Sequence, residues 1–362
     1  MGWPHRARTP PSTGGKTPPI DSGRGSRVLT AHAPAGVNAR PRAATAPTAA
    51  VSAGGGAGAG IRQPGASSRA VWVALGIVYV AWGSTYLGIR VVDRTIPPFL
   101  GAGVRFMLAG ALMLAACTAW RRRFPRVRAK ELASLALISV LLLAGGNGGV
   151  SFAERHVPSG LAALLVASMP LWILVIRTLA GDRPRRATMA GLAVGFVGVA
   201  LLVLRGGEQQ GASLGYMLLV VAAALSWALG SWLSSRLPLP DDVAAATAIE
   251  MLIGGAVLVA VAPASGERYA ALGHASADSL LAVGYLTVFG SILAFTAYVW
   301  VLQRAPISQI STYAYVNPVV AVALGAIILG ERITALTLVS GAIVVVAVAL
   351  VIRSEAPRGR AP

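Results

Sequence analysis

Residues 305–332 read APISQISTYAYVNPVVAVALGAIILGER, and residues 157–183 read VPSGLAALLVASMPLWILVIRTLAGDR. Both are apolar enough for lipid, yet the later one carries Tyr313, Tyr315, Asn317 and Pro318 at its middle. Laid on one another, Pro158 meets Pro306 and Pro170 meets Pro318, each pair 148 positions apart (306 − 158 and 318 − 170). Gly181-Asp182-Arg183 falls on Gly330-Glu331-Arg332 with a slip of one residue. Each stretch is followed by a further apolar run ending in arginine, at Arg205 and Arg353. Further back, Trp82 meets Trp227 and Arg105 meets Glu250, both at an offset of 145 (227 − 82 and 250 − 105). The chain reads as two copies of one unit, residues 71–205 and 213–353.

Only one broad class accommodates such units. The 362 residues are 55% hydrophobic and 12% charged, with a mean hydropathy of +0.68. A soluble domain carries about 25% charged residues. Between residues 71 and 352 the charges are confined mostly to breaks between apolar runs. Each run is long enough to cross roughly 30 Å of hydrocarbon at about 1.5 Å per residue. In that solvent every backbone polar group must be satisfied internally, which selects helices. The fold class is therefore all-α, a polytopic membrane protein. Its ten expected spans cover residues 71–91, 98–119, 131–152, 157–179, 187–204, 213–235, 242–262, 279–302, 306–329 and 335–352. Cys117 is the lone cysteine, which excludes an internal disulfide. Residues 1–70, with nine Lys/Arg and the single acid Asp21, hold too few large apolar side chains for a core and read as a disordered basic tail. Residues 354–362 form a second short tail.

The net charge of +18 sits in linkers, the pattern of membrane topology rather than of nucleic-acid binding. With a cytoplasmic N-terminus, the inner side gathers Arg121, Arg122, Arg123, Arg126, Arg128, Lys130, Arg183, Arg185, Arg186, Arg236, Arg304, Arg353, Arg358 and Arg360. The outer side holds only Arg90, Arg94, Arg155, Arg205, Arg268 and Arg332. The excess places both termini in the cytoplasm. Five spans per unit is an odd number, so the second unit enters the bilayer from the opposite side. Inverted repeats of this kind build secondary transporters, with the solute site near the midplane between the halves.

The polar residues inside the spans are the candidates for that site. Arg105 lies roughly 10 Å from the outer end of its helix and Glu250 roughly 12 Å from the inner end of its own. An ion at such depth faces a bundle interior or a wet cavity. Arg105 suits a solute carboxylate; Glu250 suits an amine or a coupling proton, and a structural ion pair is the competing reading for both. Trp82, Ser84 and Thr85 in the first span, with Trp227 and Ser231 in the sixth, suit an amphipathic solute; helix packing through small residues competes. Asn147 lies in a glycine-dense segment. Trp172 follows Pro170, and Tyr313 and Asn317 share a helix face. Pro170 and Pro318 free the carbonyls of Val166 and Ala314 and are expected to kink their helices. Glu154 reads as a solvated acid at the outer rim, and Glu331 as a local partner of its turn or of Arg332. Gly191, Gly195, Gly198 and Gly325 read as packing positions.

No P-loop is present, which leaves an ATP-driven pump unsupported, and no catalytic set for a membrane enzyme is visible. The sequence calls for no catalytic residue, cofactor, metal or nucleic-acid partner. The expected partners are a small-molecule solute, the lipid bilayer and protons as a coupling ion; the oligomeric state stays open. The alternative to a carrier is a non-transporting scaffold or sensor built on the same repeats.

Arg105-Phe106 after Pro97-Pro98, the run GNGGVSFAERHVPSGLAALLVASMPLW over residues 146–172, and Leu329-Gly330-Glu331-Arg332 together resemble the EamA family of the drug/metabolite transporter superfamily, most closely its YedA-type group. The resemblance covers about residues 70–353. It implies ten helices in two inverted five-helix repeats in the inner (plasma) membrane, and export, sometimes uptake, of small metabolites, amino acids or drug-like compounds. The family's recurring Gly-Glu-Arg is Gly181-Asp182-Arg183 in the first unit, with a shorter acid.

Overall fold

The computed structural model describes residues 68–355 except 123–124, 207–210, 303, 306 and 311. The basic tail up to residue 67, Arg123, Pro306 and residues 356–362 lie outside the described residues. Among the described residues the chain is all helix, without strands. Nine helices there are long and apolar enough to cross a membrane: α1 (Arg69–Val92), α2 (Pro98–Arg121), α3 (Ala129–Glu154), α4 (Ser159–Leu179), α5 (Arg186–Arg205), α6 (Leu214–Ser234), α7 (Val243–Ser265), α8 (Ala277–Tyr298) and α10 (Ala335–Ser354). The remaining apolar helix, α9 (Tyr313–Leu329), is shorter. Its 17 residues span about 25 Å, and a helical turn at Ile307–Ile310 precedes it. The set is consistent with a polytopic membrane protein. So are the outward faces of α5 and α10, where Val194, Val197, Val339, Val346 and Leu350 are exposed, the reverse of a water-soluble helix.

Small residues set the closest helix pairs. A side chain at Gly103 would meet the backbone of Gly255, and one at Gly255 would meet the Gly103 carbonyl at 2.8 Å, so α2 and α7 touch backbone to backbone. On α5, Gly191, Gly195 and Gly198 face Val351, Ala347 and Val344 of α10, the packing role read from sequence. The pairings follow a pattern: α2 with α7, α4 with α9 and α5 with α10. In addition α1 contacts α8 and α9, while α6 contacts α3 and α4. Exchanging each helix with the one five places away leaves this set unchanged.

Several helices depart from regular α geometry, α5 at its end over Leu202–Gly206 and others near their middles. α3 is π-helical over Val140–Gly148 and α8 over Leu286–Leu293. Such wide turns leave carbonyls in need of donors, and neighbours supply them. The Ser226 hydroxyl donates to the Leu141 carbonyl at 2.8 Å, and the Trp82 indole N–H donates to the Gly290 carbonyl at 3.1 Å. α1 turns at Ser84.

The expected proline kinks take other forms. In α4 the helix is interrupted at Ala167-Ser168 and restarts at Met169. Pro170 then occupies the first turn of the restarted segment, where a missing N–H costs nothing. In α9, Pro318 does sit inside a helix, but the expected continuous span 306–329 is divided before Tyr313. The Thr312 hydroxyl, at that division, is hydrogen-bonded to the Tyr79 hydroxyl of α1.

Candidate functional site

The interrupted and π-helical segments surround one cavity of about 210 Å³ near the middle of the bundle, lined by α1 to α4 and α6 to α9. Of the residues selected from sequence, Trp82, Thr85, Arg105, Asn147, Trp227, Glu250, Tyr313 and Asn317 line it, as do Pro170 and Pro318. Three others lie outside the lining. The Ser84 hydroxyl donates to the Ala81 carbonyl and bonds the Tyr285 hydroxyl at 2.6 Å. The Ser231 hydroxyl returns to the Trp227 carbonyl one turn back. Trp172 packs edge-on against Phe196, ring centroids 4.7 Å apart.

Arg105 is 5% exposed and Glu250 4%. The Arg105 guanidinium donates from Nε to the Ser291 hydroxyl at 3.1 Å and lies 4.7 Å from the centre of the Phe106 ring. Among the described residues it forms no ion pair. Oε1 of Glu250 is buried without a hydrogen-bond partner, as is Oδ1 of Asn317. Both ionisable side chains therefore face one cavity, and no ion pair joins them. Removing an unpaired charge from water costs several kcal/mol after relaxation. Gly290 makes room for the guanidinium: a Cβ there would lie 3.2 Å from a terminal nitrogen of Arg105 and 3.1 Å from Thr85. Gly146 does the same for the Trp227 ring, at 2.8 Å.

The walls between the charges are aromatic. Trp82 packs against Tyr298 and Tyr313 with centroids at 5.2 and 5.3 Å, and the two tyrosines meet edge-on at 5.7 Å. Sequence reading passed over Tyr86, Phe106, Ser291, Phe295 and Tyr298, which also line the cavity. Tyr86 and Phe106 each adjoin a selected residue and were within reach of a helical-face argument. Ser291 and Tyr298 carry no local signal, because only the folded bundle brings α8 against Arg105 and Trp82.

A second polar cluster lies at the other end of α3 and corrects two expectations. Glu154 is not a solvated rim acid. It is fully buried, and both of its carboxylate oxygens lack partners, because Arg90 donates to its backbone carbonyl instead. Glu331 does not serve its own turn. Its two oxygens accept the backbone N–H groups of Ser159 and Gly160 at 2.8 and 3.0 Å, capping the N-terminus of α4 across the two halves of the sequence. Glu267 caps α2 in the same way through Phe99 and Leu100, each at 3.0 Å. Asp93, which follows α1, is shifted well above the usual carboxylate range, chiefly by burial; Arg155 and Arg90 oppose the shift and Glu267 adds to it.

Comparison with known proteins agrees with this architecture. The description "EamA-like transporter family" matches residues 70–204 and again residues 214–353. The chain is 42% identical over 279 residues to "Uncharacterized inner membrane transporter YedA" of Escherichia coli (strain K12), covering 77% of this chain and 89% of that one. It is 28% identical over 295 residues to a "Probable terminal-alkyne amino-acid exporter" of Streptantibioticus cattleyicolor, covering 81% and 96%. It is 25% identical over 287 residues to a "Probable amino-acid metabolite efflux pump" of Salmonella typhimurium, covering 75% and 90%. A solved crystal structure 19% identical in sequence superposes on 79% of this chain and 98% of its own with a TM-score of 0.51, a likeness of fold. Two matches to one description, spanning nearly all of the helical region, settle the classification: the chain belongs to the EamA-like transporter family.

Proposed function

We propose that the protein is a secondary transporter that exports small amphipathic metabolites, amino acids or drug-like compounds across the inner membrane by alternating access. Residues 71–205 and 213–353 form two inverted five-helix units, and both termini are cytoplasmic. The exchange of helix pairings between the halves supports the repeat, and relatives named as exporters support the direction. One observation carries the reading: Arg105 and Glu250 are buried in the same aromatic-walled cavity without an ionic partner. A zwitterion satisfies both, its carboxylate on Arg105 and its ammonium on Glu250, with an apolar body against Trp82, Trp227, Tyr298 and Tyr313. Thr85, Asn147 and Asn317 complete the polar contacts. Ser84, Ser231 and Trp172 support the lining from behind.

Counterflow of labelled phenylalanine, leucine and threonine in proteoliposomes tests this. Wild-type protein exchanges at least one of them down no gradient, which a scaffold or sensor cannot do. Loss of a charge-assisted contact costs about 2–3 kcal/mol, so Arg105→Gln raises KM for the amino acid roughly 30- to 150-fold. The corresponding amine lacking a carboxylate is affected far less. Glu250→Gln changes the dependence of exchange on pH. Absence of counterflow for every solute of this class sinks the carrier reading; an equal effect of Arg105→Gln on acid and amine sinks the assignment of that residue.

A further inference from the structure

We propose that Glu154 is a second proton-binding site, separate from the central cavity, which holds its proton while the corner between α3 and α4 is closed against α1 and the loop before α10 and releases it when that corner opens. Two kinds of observation meet there. First, the carboxyl group is fully buried and neither oxygen receives a hydrogen bond, although a guanidinium is at hand and spends its N–H on the neighbouring carbonyl. An ionised carboxylate placed so would forgo both water and every donor, while a neutral acid forgoes little. Second, the neighbouring groups do not neutralise a carboxylate there: two further acids, Asp93 after α1 and Glu331 in the loop before α10, stand against Arg90 of α1. Glu331 is committed as an anion to the Ser159 and Gly160 amides.

The other elements packed on this end bring no further charge to the carboxyl. α2 contributes Phe99, stacked on Phe152 at 5.2 Å. α6 contributes Tyr216, stacked on His156 at 3.9 Å. Arg155 and His156, which follow Glu154 in the chain, are exposed. Tyr86 lies near both: it lines the cavity wall and neighbours Glu154. Movement of the α3–α4 corner away from α1 and the loop before α10, which hold it through Arg90 and Glu331, would admit water to the carboxyl and let the proton leave on that side. Proton release and opening are thus one equilibrium, and raising pH favours the open form.

The proton-holding half is independent of any transported solute; the opening half rests on the carrier reading. Infrared spectra of the purified protein in lipid membranes test the first. Wild type shows a protonated-carboxyl C=O component at neutral pH that is lost in Glu154→Gln, kept in Glu250→Gln and in Asp93→Asn, and shifted in frequency in Glu154→Asp. A band unchanged in both position-154 variants overturns the proposal, and Glu154→Asp alone decides it if Glu154→Gln fails to fold. The second is read from the rate of maleimide labelling of Ser159→Cys in a Cys117→Ser background. Labelling rises with pH by up to about tenfold per unit for one coupled proton, beyond the rise that thiolate formation gives any cysteine, and that excess disappears when Glu154→Gln is added. A rate equally pH-dependent in both backgrounds overturns the gate. Absence of counterflow with the infrared result intact removes the carrier reading and leaves the proton site standing.

Discussion

The proposed chemistry of this protein rests on single ionisable side chains placed where charge is costly. Arg105 and Glu250 were legible in the sequence, since an ion inside an oily run stands out and points to an interior site. Glu154 was not legible. Its position at the end of a span makes water the ordinary expectation, and only the packing of α1, α4 and α6 around it makes the site dry. Asp93 gives a direct test of how that end responds to pH. Burial raises the acid's proton affinity in the folded protein, so the folded state binds more protons than the unfolded chain. Stability from this group is full below the ordinary carboxylate range and is lost as pH rises through the raised value. Asp93→Asn removes the penalty on the ionised form. Its Tm therefore gains on wild type as pH is raised from 5 to 8, measured by thermal unfolding in detergent. A gap between the two that does not change with pH would show that Asp93 is ionised and compensated in the folded protein.

At the scale of elements, the informative features are the irregular ones. The spans and their order could be read from the apolar runs because hydrocarbon allows so few backbone solutions. The interruption of α4 before Pro170, the division ahead of α9 and the π-helical turns of α3 and α8 could not. They depend on donors from other helices, such as Trp82 and Ser226, that sequence spacing does not reveal. The cap on α4 is of this kind, and the two halves differ in it. Gly325 gives Glu331 its space: a Cβ there would lie 2.6 Å from Oε2 and 2.9 Å from the Ser159 hydroxyl. The residue 148 positions earlier is Arg177, which instead pairs with Asp182 at 2.8 Å. Gly325→Ala should displace the Glu331 carboxylate, and Glu331→Ala should remove it. Loss of an N-terminal cap costs about 1–2 kcal/mol. Hydrogen exchange at the Ser159 and Gly160 amides should then accelerate roughly 5- to 30-fold in both variants. Unchanged protection in Glu331→Ala would mean that the amides are held by something other than this acid.

Over the whole molecule, the repeat is the feature on which transport depends. Its sequence trace is thin: two prolines, a Gly-acid-Arg turn, a tryptophan and an Arg/Glu pair at offsets of 145 to 149. The fold adds helix pairings that survive the exchange of halves and π-helical turns at matching places, Val140–Gly148 and Leu286–Leu293. An alternating-access device requires more than likeness, since the halves must also point opposite ways so that rocking exposes the cavity first to one side and then to the other. Arg183 and Arg332 occupy equivalent turns of the two halves, and both are exposed, so they report orientation directly. In a Cys117→Ser background, Arg332→Cys should react with a membrane-impermeant maleimide on intact cells, and Arg183→Cys only after the membrane is permeabilised. The reverse result would turn the protein over in the membrane and leave the inverted repeat intact, contradicting only the distribution of basic residues as a guide. Labelling of both from the same side would make the halves parallel, and a cavity between parallel halves has no symmetric partner state into which to rock.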